Sequence, residues 1–504
     1  MKSKTEQSID AVHALIRAGE LAKARSAIHA LLSIRIKRHE ALRLAFLCRE
    51  AYLPEKALGL LHRVVRGVSS GKASPSNEEK AEYGMALGEL GAGREAIELL
   101  APLDIRKYPR IFRGLTIAYF RTWEWERAIP ICEKFLGRPG ATLHDRLWGE
   151  FRLGVALLHG KDDYARSRVI LEKLVRDTKT NDYQSLHEQA VYVLAQQAYL
   201  AKDYKRSSAL LASLKTTEVT SPDSSLGMSI SQLRIEILLA TAKNRNSAQR
   251  ALRGIRDRYA AAGRWEQARG CDYAEAYVTH EAELATHLYF GTPYASGRKK
   301  IQLSCGLRPE AIPAQYDWVI SDPSPKALVF DLATGENSLN GKRLKPGDVL
   351  LRTLRALSVD FYTPPNVLDL YARIYPGHYF NPATSALQVR QALWRLRQWL
   401  EANGLPLVIH EHHGVYTLRS PIHCALRVYA GLDSAAGREQ ERYSDFMARI
   451  RKKFGGREFS ANETADHLNV SRRSAIEFLR VAAFQQLGLE RMGAGPSTRY
   501  RIKT

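Results

Sequence analysis

Residues 83–103 read YGMALGELGAGREAIELLAPL. Apolar residues recur every three or four positions on each side of the glycine-rich stretch 91–93, which predicts two amphipathic helices joined by a tight turn. Ala96 is a small residue at the start of the second helix, where it lets the two helices approach closely. Because one such hairpin cannot bury its apolar face alone, it must stack against neighbouring hairpins.

The same layout occurs in a series. An apolar helix, a polar turn, a small residue and a second apolar helix are shared by residues 40–65, 83–103, 114–136, 153–175 and 194–214. The small residues are Ala57, Ala96, Ala128, Ser167 and Ser207, at spacings of 39, 32, 39 and 40, and Ala24 precedes Ala57 by 33. Helical periodicity extends from Ile9 to about Tyr289, so the sequence predicts a helical-repeat domain over residues 1–290.

This layout resembles tetratricopeptide (TPR) repeats, whose period is about 34 residues. The positions that fit are the small residues together with Gly88, Gly154, Tyr119 and Tyr199. The spacing drifts, and the number of repeats lies between five and seven. The resemblance implies an α-solenoid with a concave surface that binds a protein, a peptide or a small effector. A scaffold or dimerisation arm is the alternative, and Trp123, Trp125 and Trp148 are candidates for either the groove or the core.

Composition points to a polyanionic partner. The 504 residues suggest about three domains, and 75 Lys+Arg against 53 Asp+Glu give a net charge of +22, which favours nucleic acid or an anionic surface. No signal peptide or membrane span is recognisable. The five cysteines lack CxxC spacing, so we expect buried thiols and a cytoplasmic protein without membrane association. They are Cys48, Cys132, Cys271, Cys305 and Cys424.

Five prolines interrupt the helical pattern after residue 290 and predict a linker over residues 291–326. Alternation at Leu328–Leu332 then predicts a strand, and Asn340-Gly341 predicts a hairpin turn. Helical patterns follow at about 346–358, 365–374 and 383–403, and LVIHEHHGVYTL (407–418) predicts two short strands.

The order of these elements resembles the OmpR-type winged-helix domain of bacterial response regulators, over residues 327–420. The stretches that carry the resemblance are VFDLATGENSLNGKRLKPGDVLLRTL (329–354), LWRLRQWL (393–400) and HHGVYTL (412–418). The family implies DNA binding through the third helix and the terminal hairpin. The Arg and Gly-Tyr pair that usually mark the hairpin are replaced here by His413, Gly414 and Val415, and no receiver domain is recognisable upstream.

The third helix has two contrasting faces. Val389, Leu393, Leu396 and Leu400 form one apolar stripe. Long hydrogen-bonding side chains, which suit base edges in the major groove, lie opposite it or at its margins: Gln388, Gln391, Trp394, Arg395, Arg397 and Gln398. By resemblance, Arg395 contacts a base and Arg397 a phosphate. A solvated polar face is the alternative. His410, His412 and His413 suggest a metal, but a polar hairpin tip explains them better because no second ligand cluster accompanies them.

Residues 440–504 predict a second DNA-binding module. In LNVSRRSAIEFL (468–479), Ser471 is the expected helix N-cap, which places Arg472 and Arg473 at the positive end of the helix dipole and suggests an external anion. Local pairing with Glu463 or Glu477 is the alternative. The turn is expected at Asn469 and Val470. The residues predicted to pack the core are Ala465, Leu468, Val470, Ala475, Ile476 and Leu479.

LERMGAGPSTRYRI (489–502) then predicts two strands joined by a glycine-rich tip, with Arg491 and Arg499 along them. This part resembles the winged helix-turn-helix of bacterial repressors and activators. It implies that Ser471, Arg472, Arg473, Arg491 and Arg499 contact DNA.

Together these patterns predict a mainly α protein: a TPR-like α-solenoid followed by two small winged-helix (α+β) domains. The leading hypothesis is a transcriptional regulator that binds double-stranded DNA and, through its repeats, a protein or peptide such as RNA polymerase. One module could instead form a homodimer. The alternative is an interaction scaffold whose winged helices bind protein. No catalytic motif is recognisable, so we expect neither enzyme activity nor a cofactor or metal.

Overall fold

The computed structural model describes most of the chain. The described residues are 3–34, 36–67, 74–214, 224–320, 328–345, 349–430, 450–451, 453–468, 470–484, 489–492 and 498–502. They form two compact units. The first comprises Met1–Glu95, Pro313–Val359 and Pro364–Thr504, and the second comprises Ala96–Ile312 and Asp360–Thr363. The predicted domain limits divide the chain along its sequence and stay predictions.

Helices fill the described chain up to residue 304. The first six are α1 (Lys4–Arg17), α2 (Leu21–Leu32), α3 (Arg38–Glu50), α4 (Pro54–Val65), α5 (Asn77–Glu89) and α6 (Gly93–Leu100). The next six are α7 (Ile111–Arg121), α8 (Trp125–Leu136), α9 (Leu143–Gly160), α10 (Tyr164–Thr180), α11 (Gln184–Leu200) and α12 (Tyr204–Ser213). Then follow α13 (Ser225–Thr241), α14 (Asn246–Ala261), α15 (Trp265–Thr279), α16 (Ala282–Gly291) and α17 (Ala295–Ser304). Consecutive helices pack in pairs, which is the TPR-like arrangement expected from the sequence.

One turn recurs between paired helices. It contains a residue with left-handed backbone, with φ between 51° and 97°, at Gly19, Tyr52, Gly91, Trp123, Asp162, Lys202, Gly263 and His280. Five positions later stands a small residue that is at most 3% exposed, namely Ala24, Ala57, Ala96, Ala128, Ser167, Ser207, Ala268 and Ala285. The predicted small positions are therefore confirmed as buried. Ala268 and Ala285 were missed because Ala268 lies 61 residues after Ser207, beyond the spacings of 32 to 40 that defined the series.

The left-handed residue closes the first helix of each pair. The next backbone N–H commonly donates to the carbonyl five residues earlier, as Leu53 N does to Cys48 O (2.8 Å) and Asp203 N to Ala198 O (2.8 Å). This bond satisfies a carbonyl that the helix end leaves without a partner. The chain reverses, and the second helix packs closely on the first.

The contact is close enough to involve the backbone of the neighbouring helix. The Ser167 hydroxyl donates to Gly154 O at 2.9 Å, and the Ser207 hydroxyl donates to Ala195 O at 2.8 Å. A Cβ atom added at Gly154 would lie 2.8 Å from Leu171 Cδ2. Only small side chains fit such crossings, which explains the pattern found in the sequence.

A buried ion pair stabilises the second unit. The Arg269 side chain is fully buried, and its Nη2 lies 2.6 Å from both carboxylate oxygens of Asp360. Arg269 Nη1 also donates to Thr292 Oγ1 at 3.2 Å, and the guanidinium lies over the Tyr362 ring, 5.1 Å from its centroid. A charge removed from water in this way is tolerated only when it is paired and hydrogen-bonded.

The predicted linker over residues 291–326 contains two regular elements. Helix α17 and strand β1 (Gln315–Val319) lie within it. The prolines did not prevent the helix because they flank it: Pro293 precedes its first residue and Pro309 follows its last. A proline destabilises a helix from its interior, where it removes a backbone donor, and neither of these prolines lies inside α17.

The described residues of 313–359 and 364–430 form the first small α/β module. After β1 come β2 (Leu328–Asp331), α18 (Val349–Leu357), α19 (Val367–Ile374), α20 (Ser385–Ala402), β3 (Val408–His412), β4 (Val415–Arg419) and β5 (Cys424–Tyr429). β5 pairs antiparallel with β1 and parallel with β2, and β3 and β4 form an antiparallel hairpin. Gly341 has φ of 69°, so a turn lies where Asn340-Gly341 predicted one.

The second module also combines helices with a small sheet, but it contains fewer residues. Its elements are β6 (Phe459–Ser460), α21 (Ala461–Leu468), α22 (Arg472–Phe484), β7 (Leu489–Met492) and β8 (Arg499–Ile502), with strand order β6-β8-β7. Leu479, Phe459 and Tyr500 are in its core. Ile476 was expected there but is 37% exposed, because it lies on the face of α22 beside the core. Asn469 and the predicted tip 493–497 lie outside the described residues.

All five cysteines are buried and unpaired, as the sequence predicted. In the described part of the chain, no helix is both long and apolar enough to cross a bilayer.

Replacing Ser167 with Leu should destabilise the α9–α10 pair by about 2–4 kcal/mol, because the larger side chain cannot fit the crossing and the bond to Gly154 is lost. Urea denaturation monitored by circular dichroism measures the change. Val169→Leu is the matched control because Val169 is 67% exposed on the same helix. Equal stability of the two variants would contradict the close-packing explanation.

Glu236 predicts a pH dependence of stability. Burial raises the pKa of its carboxyl from 4.5 to about 7, even though the Gln232 amide donates to it at 2.7 Å. A folded-state pKa above the unfolded one means that stability decreases as pH rises from about 4.5 to 7. Glu236→Gln should remove this decrease, so the variant should exceed the wild type by up to ~3 kcal/mol at about pH 8. The two should be equal at about pH 4. Denaturation curves of both proteins at the two pH values measure this difference. If the difference in stability is the same at both pH values, Glu236 does not cause the pH dependence.

Candidate nucleic-acid interface

Helix α20 presents the long polar side chains that the sequence singled out. Its apolar stripe, Val389, Leu393, Leu396 and Leu400, is at most 1% exposed and fixes the orientation of the helix. The side chains of Gln388, Gln391, Trp394, Arg395 and Gln398 are all exposed. The predicted division of α20 into a core face and a polar face is therefore confirmed, although exposure alone does not identify what the polar face binds.

Arg397 differs from the other predicted contacts. Its side chain is half-buried, and Nη2 donates to the carbonyl oxygen of Ile409 at 3.0 Å. Ile409 lies in β3, so this bond ties α20 to the terminal hairpin. Arg397 therefore positions the hairpin, and its contact with a phosphate stays a prediction.

The β3–β4 hairpin ends in a tight turn. His412 pairs with Val415, and the two residues between them, His413 and Gly414, have φ of 48° and 77°. Positive φ at both positions is typical of a type I′ turn, which suits the twist of an antiparallel hairpin. The side chains of His410, His412 and His413 are exposed. The hairpin also bridges to Asn366, the N-cap of α19, through Val415.

Two apolar side chains on α20 are more exposed to solvent than the sequence predicted. Trp394 is 59% exposed and Leu387 is 58% exposed. They are seven residues apart, with Gln391 between them, so all three lie on one side of the helix. Sequence periodicity placed Trp394 only at the margin of the polar face and did not single out Leu387.

The second module gathers arginines around a cavity. Helix α22 begins at Arg472, and Ala475 N donates to Ser471 O at 2.9 Å, which places Ser471 at the predicted N-cap. A cavity of about 200 Å³ lies beside this helix start. Its lining includes three arginines, Arg472 and Arg480 from α22 and Arg491 from β7. The structure thus brings together Arg472 and Arg491, which the sequence predicted separately.

Glu463 does not neutralise this cavity. Its carboxylate lies 3.3 Å from Arg457 and 3.3 Å from Arg499, and it accepts bonds from the backbone and hydroxyl of Ser460. These contacts lower the pKa of Glu463, the bond from the Ser460 backbone most strongly. Arg499, a predicted DNA contact, is therefore engaged in an ion pair. The side chains of Arg473 and Glu477 lie outside the described residues.

Arg480 was missed by sequence analysis. The sequence contains a weak indication of it, because residues 472, 476 and 480 recur every fourth position and so share one face of a helix. That periodicity does not reveal that strand β7 places Arg491 against the same face. The pairing of β7 with β8 brings Arg491 opposite Tyr500, which also lines the cavity.

Comparisons with known proteins add little. No protein-family model matches the sequence, and no curated protein matches it. One similar solved structure is the "Crystal Structure of Rap Protein Complexed with Competence and Sporulation Factor", with 11% identity and a TM-score of 0.32 over 61% of this chain and 88% of that one. Another is the "Crystal Structure of the Apo Form of RapI", with 10% identity and a TM-score of 0.34 over 60% and 85%. The helix pairs themselves, rather than these distant likenesses, identify the TPR-like fold.

Arg397→Met should loosen the hairpin because it removes the bond to Ile409 while keeping the apolar stem of the side chain. Hydrogen exchange of the amides in residues 408–419 should become faster, by roughly fivefold for a bond worth about 1 kcal/mol. Arg395→Met is the matched control, since the Arg395 side chain is exposed. Unchanged exchange in the Arg397 variant would show that the bond does not hold the hairpin.

Proposed function

We propose that this protein is a transcriptional regulator whose two C-terminal winged-helix modules bind double-stranded DNA and whose helical repeats bind a protein or peptide. The exposed face of α20 carries the proposal. Gln388, Gln391, Arg395 and Gln398 project from a helix whose opposite stripe is fully buried. Gln and Arg side chains on such a helix have the reach and donors to read adenine and guanine edges in the major groove.

The surrounding elements support a winged helix. Helix α19 precedes α20 in the same module, and the β3–β4 hairpin follows it, so the order is that of a helix-turn-helix with a wing. The second module has the same order in α21, α22 and the β7–β8 pair. Residues 441–504 carry 13 Lys+Arg against 7 Asp+Glu, and this excess suits a phosphate backbone.

The paired helices support an interaction role for the repeats. Stacked helix pairs of this kind expose an extended surface that suits a protein or peptide partner. The charge of the whole chain adds steering toward DNA, which is independent of sequence. Regulation would then consist of a partner on the repeats altering how the modules bind DNA.

A scaffold is the second candidate, and a specific observation favours it. Trp394 and Leu387 expose large apolar surfaces on the same side of α20, and exposed aromatic residues of this type are common in protein interfaces. In that case α20 would bind a protein partner, and Gln391 between the two apolar residues would form part of the rim.

DNA selection with the full-length protein tests the proposal. Bound duplexes from a random pool should converge on a preferred sequence, and Arg395→Met should lower the affinity for it by about tenfold while barely changing binding to unrelated duplexes. Arg343→Met is the control for loss of one charge, because Arg343 is exposed in the same module and outside α20. If the wild type ignores all duplexes at low salt, the scaffold is the better description.

A further inference from the structure

The arginine-lined cavity of the second module has the features of an anion site. Arg472 and Arg480 line it from α22, and Arg491 lines it from β7. Asn462, near the start of α21, and Thr498, just before β8, add polar side chains to the lining. Positive charge thus reaches one cavity from a helix and from the strand that follows it.

Two of the three cavity arginines, Arg472 and Arg491, differ from other arginines of this module in their ion pairing. In the described chain, no carboxylate forms an ion pair with Arg472 or Arg491, whereas Arg457, Arg499 and Arg501 pair with Glu463 or Glu458. Arg472 also stands at the N-terminus of α22, where the helix dipole adds to the positive potential. Like charges brought together in this way repel each other, and a bound anion would relieve the repulsion.

We propose that this cavity binds a phosphate group. Guanidinium groups present planar forks of N–H donors that match phosphate oxygens, and charge-assisted bonds of this kind are stronger than neutral ones. The Asn462 amide can donate a further bond.

The source of the phosphate is the backbone of duplex DNA, an assignment that rests on the proposed function. Contacts to phosphates supply affinity and register but no sequence information. The two modules would then have different roles. Helix α20 contacts base edges through amide and guanidinium side chains, and α22 binds the phosphate backbone of the DNA. A free phosphate or a small phosphorylated compound would present the same chemistry to the cavity.

Two variants test the site in the full-length protein, Arg491→Gln and Arg480→Gln. Arg491 is exposed on a strand, so its replacement should preserve folding, which circular dichroism checks. Arg501→Gln is the matched control, because Arg501 lies in β8 but is not part of the cavity lining and pairs with Glu458. Two probes are used. Binding of inorganic phosphate is measured by calorimetry in chloride buffer, and binding of a short DNA duplex is measured over a range of salt concentrations.

Each cavity variant should weaken binding of the duplex by about tenfold, the effect of losing one charged hydrogen bond. The slope of log affinity against log salt should fall by about one, while the preference among sequences stays the same. The Arg501 variant should keep the wild-type slope. This result supports the site whether or not free phosphate binds measurably.

The other outcomes separate this inference from the proposed function. Binding of inorganic phosphate that both variants weaken, without binding of any duplex, would support the phosphate site as one for small compounds and would refute the DNA-binding function. If the wild type binds no inorganic phosphate and both variants keep its salt slope, the cavity is not a phosphate site. Base reading by α20 could then still be correct.

Discussion

The helical part of this protein depends on one steric constraint, which is the close crossing of two helices immediately after a left-handed turn. A residue with positive φ ends the first helix, and five positions later a buried Ala or Ser faces the neighbouring backbone. At Tyr52, Trp123 and Lys202 the left-handed residue is not glycine, although such a conformation costs about 1 kcal/mol for other residues. The close packing of the paired helices and the backbone bond that closes each turn offset this cost.

The two α/β modules share an arrangement of helix and strand hairpin but present different side chains. In both, a buried apolar stripe orients one helix, and a strand hairpin follows it. Helix α20 leaves amides, two arginines and a tryptophan in solvent, whereas α22 directs Arg472 and Arg480 into a cavity that Arg491 completes. The first arrangement suits recognition of varied edges, and the second suits a single compact anion. A protein with both could combine specificity with affinity that does not depend on sequence.

Buried polar groups are the least predictable part of the structure. Arg269 is fully buried against Asp360, yet the 91 residues that separate them gave no indication of the pairing. Glu236 is buried with a raised pKa in α13, where it stands between Ile235 and Ile237. The partner of Arg269 lies in the segment after α18, and the groups near Glu236 include Tyr199 and Tyr259 from other helices, so local periodicity cannot reveal either environment. Helix α17 was missed for a different reason. The number of prolines in this stretch suggested irregular structure, although these prolines flank the helix and do not lie inside it.

The sequence by itself determined the paired helices, the small residues at their crossings, the apolar stripe of α20 and the start of α22 at Arg472. Each of these follows from local spacing and backbone preference, which act within a few residues. Tertiary structure alone decided that Arg397 holds the hairpin, that Glu463 pairs away from Arg472, and that Arg480 and Arg491 share a cavity. Those outcomes depend on which strands and helices contact one another. Tertiary packing, rather than local propensity, determines these contacts.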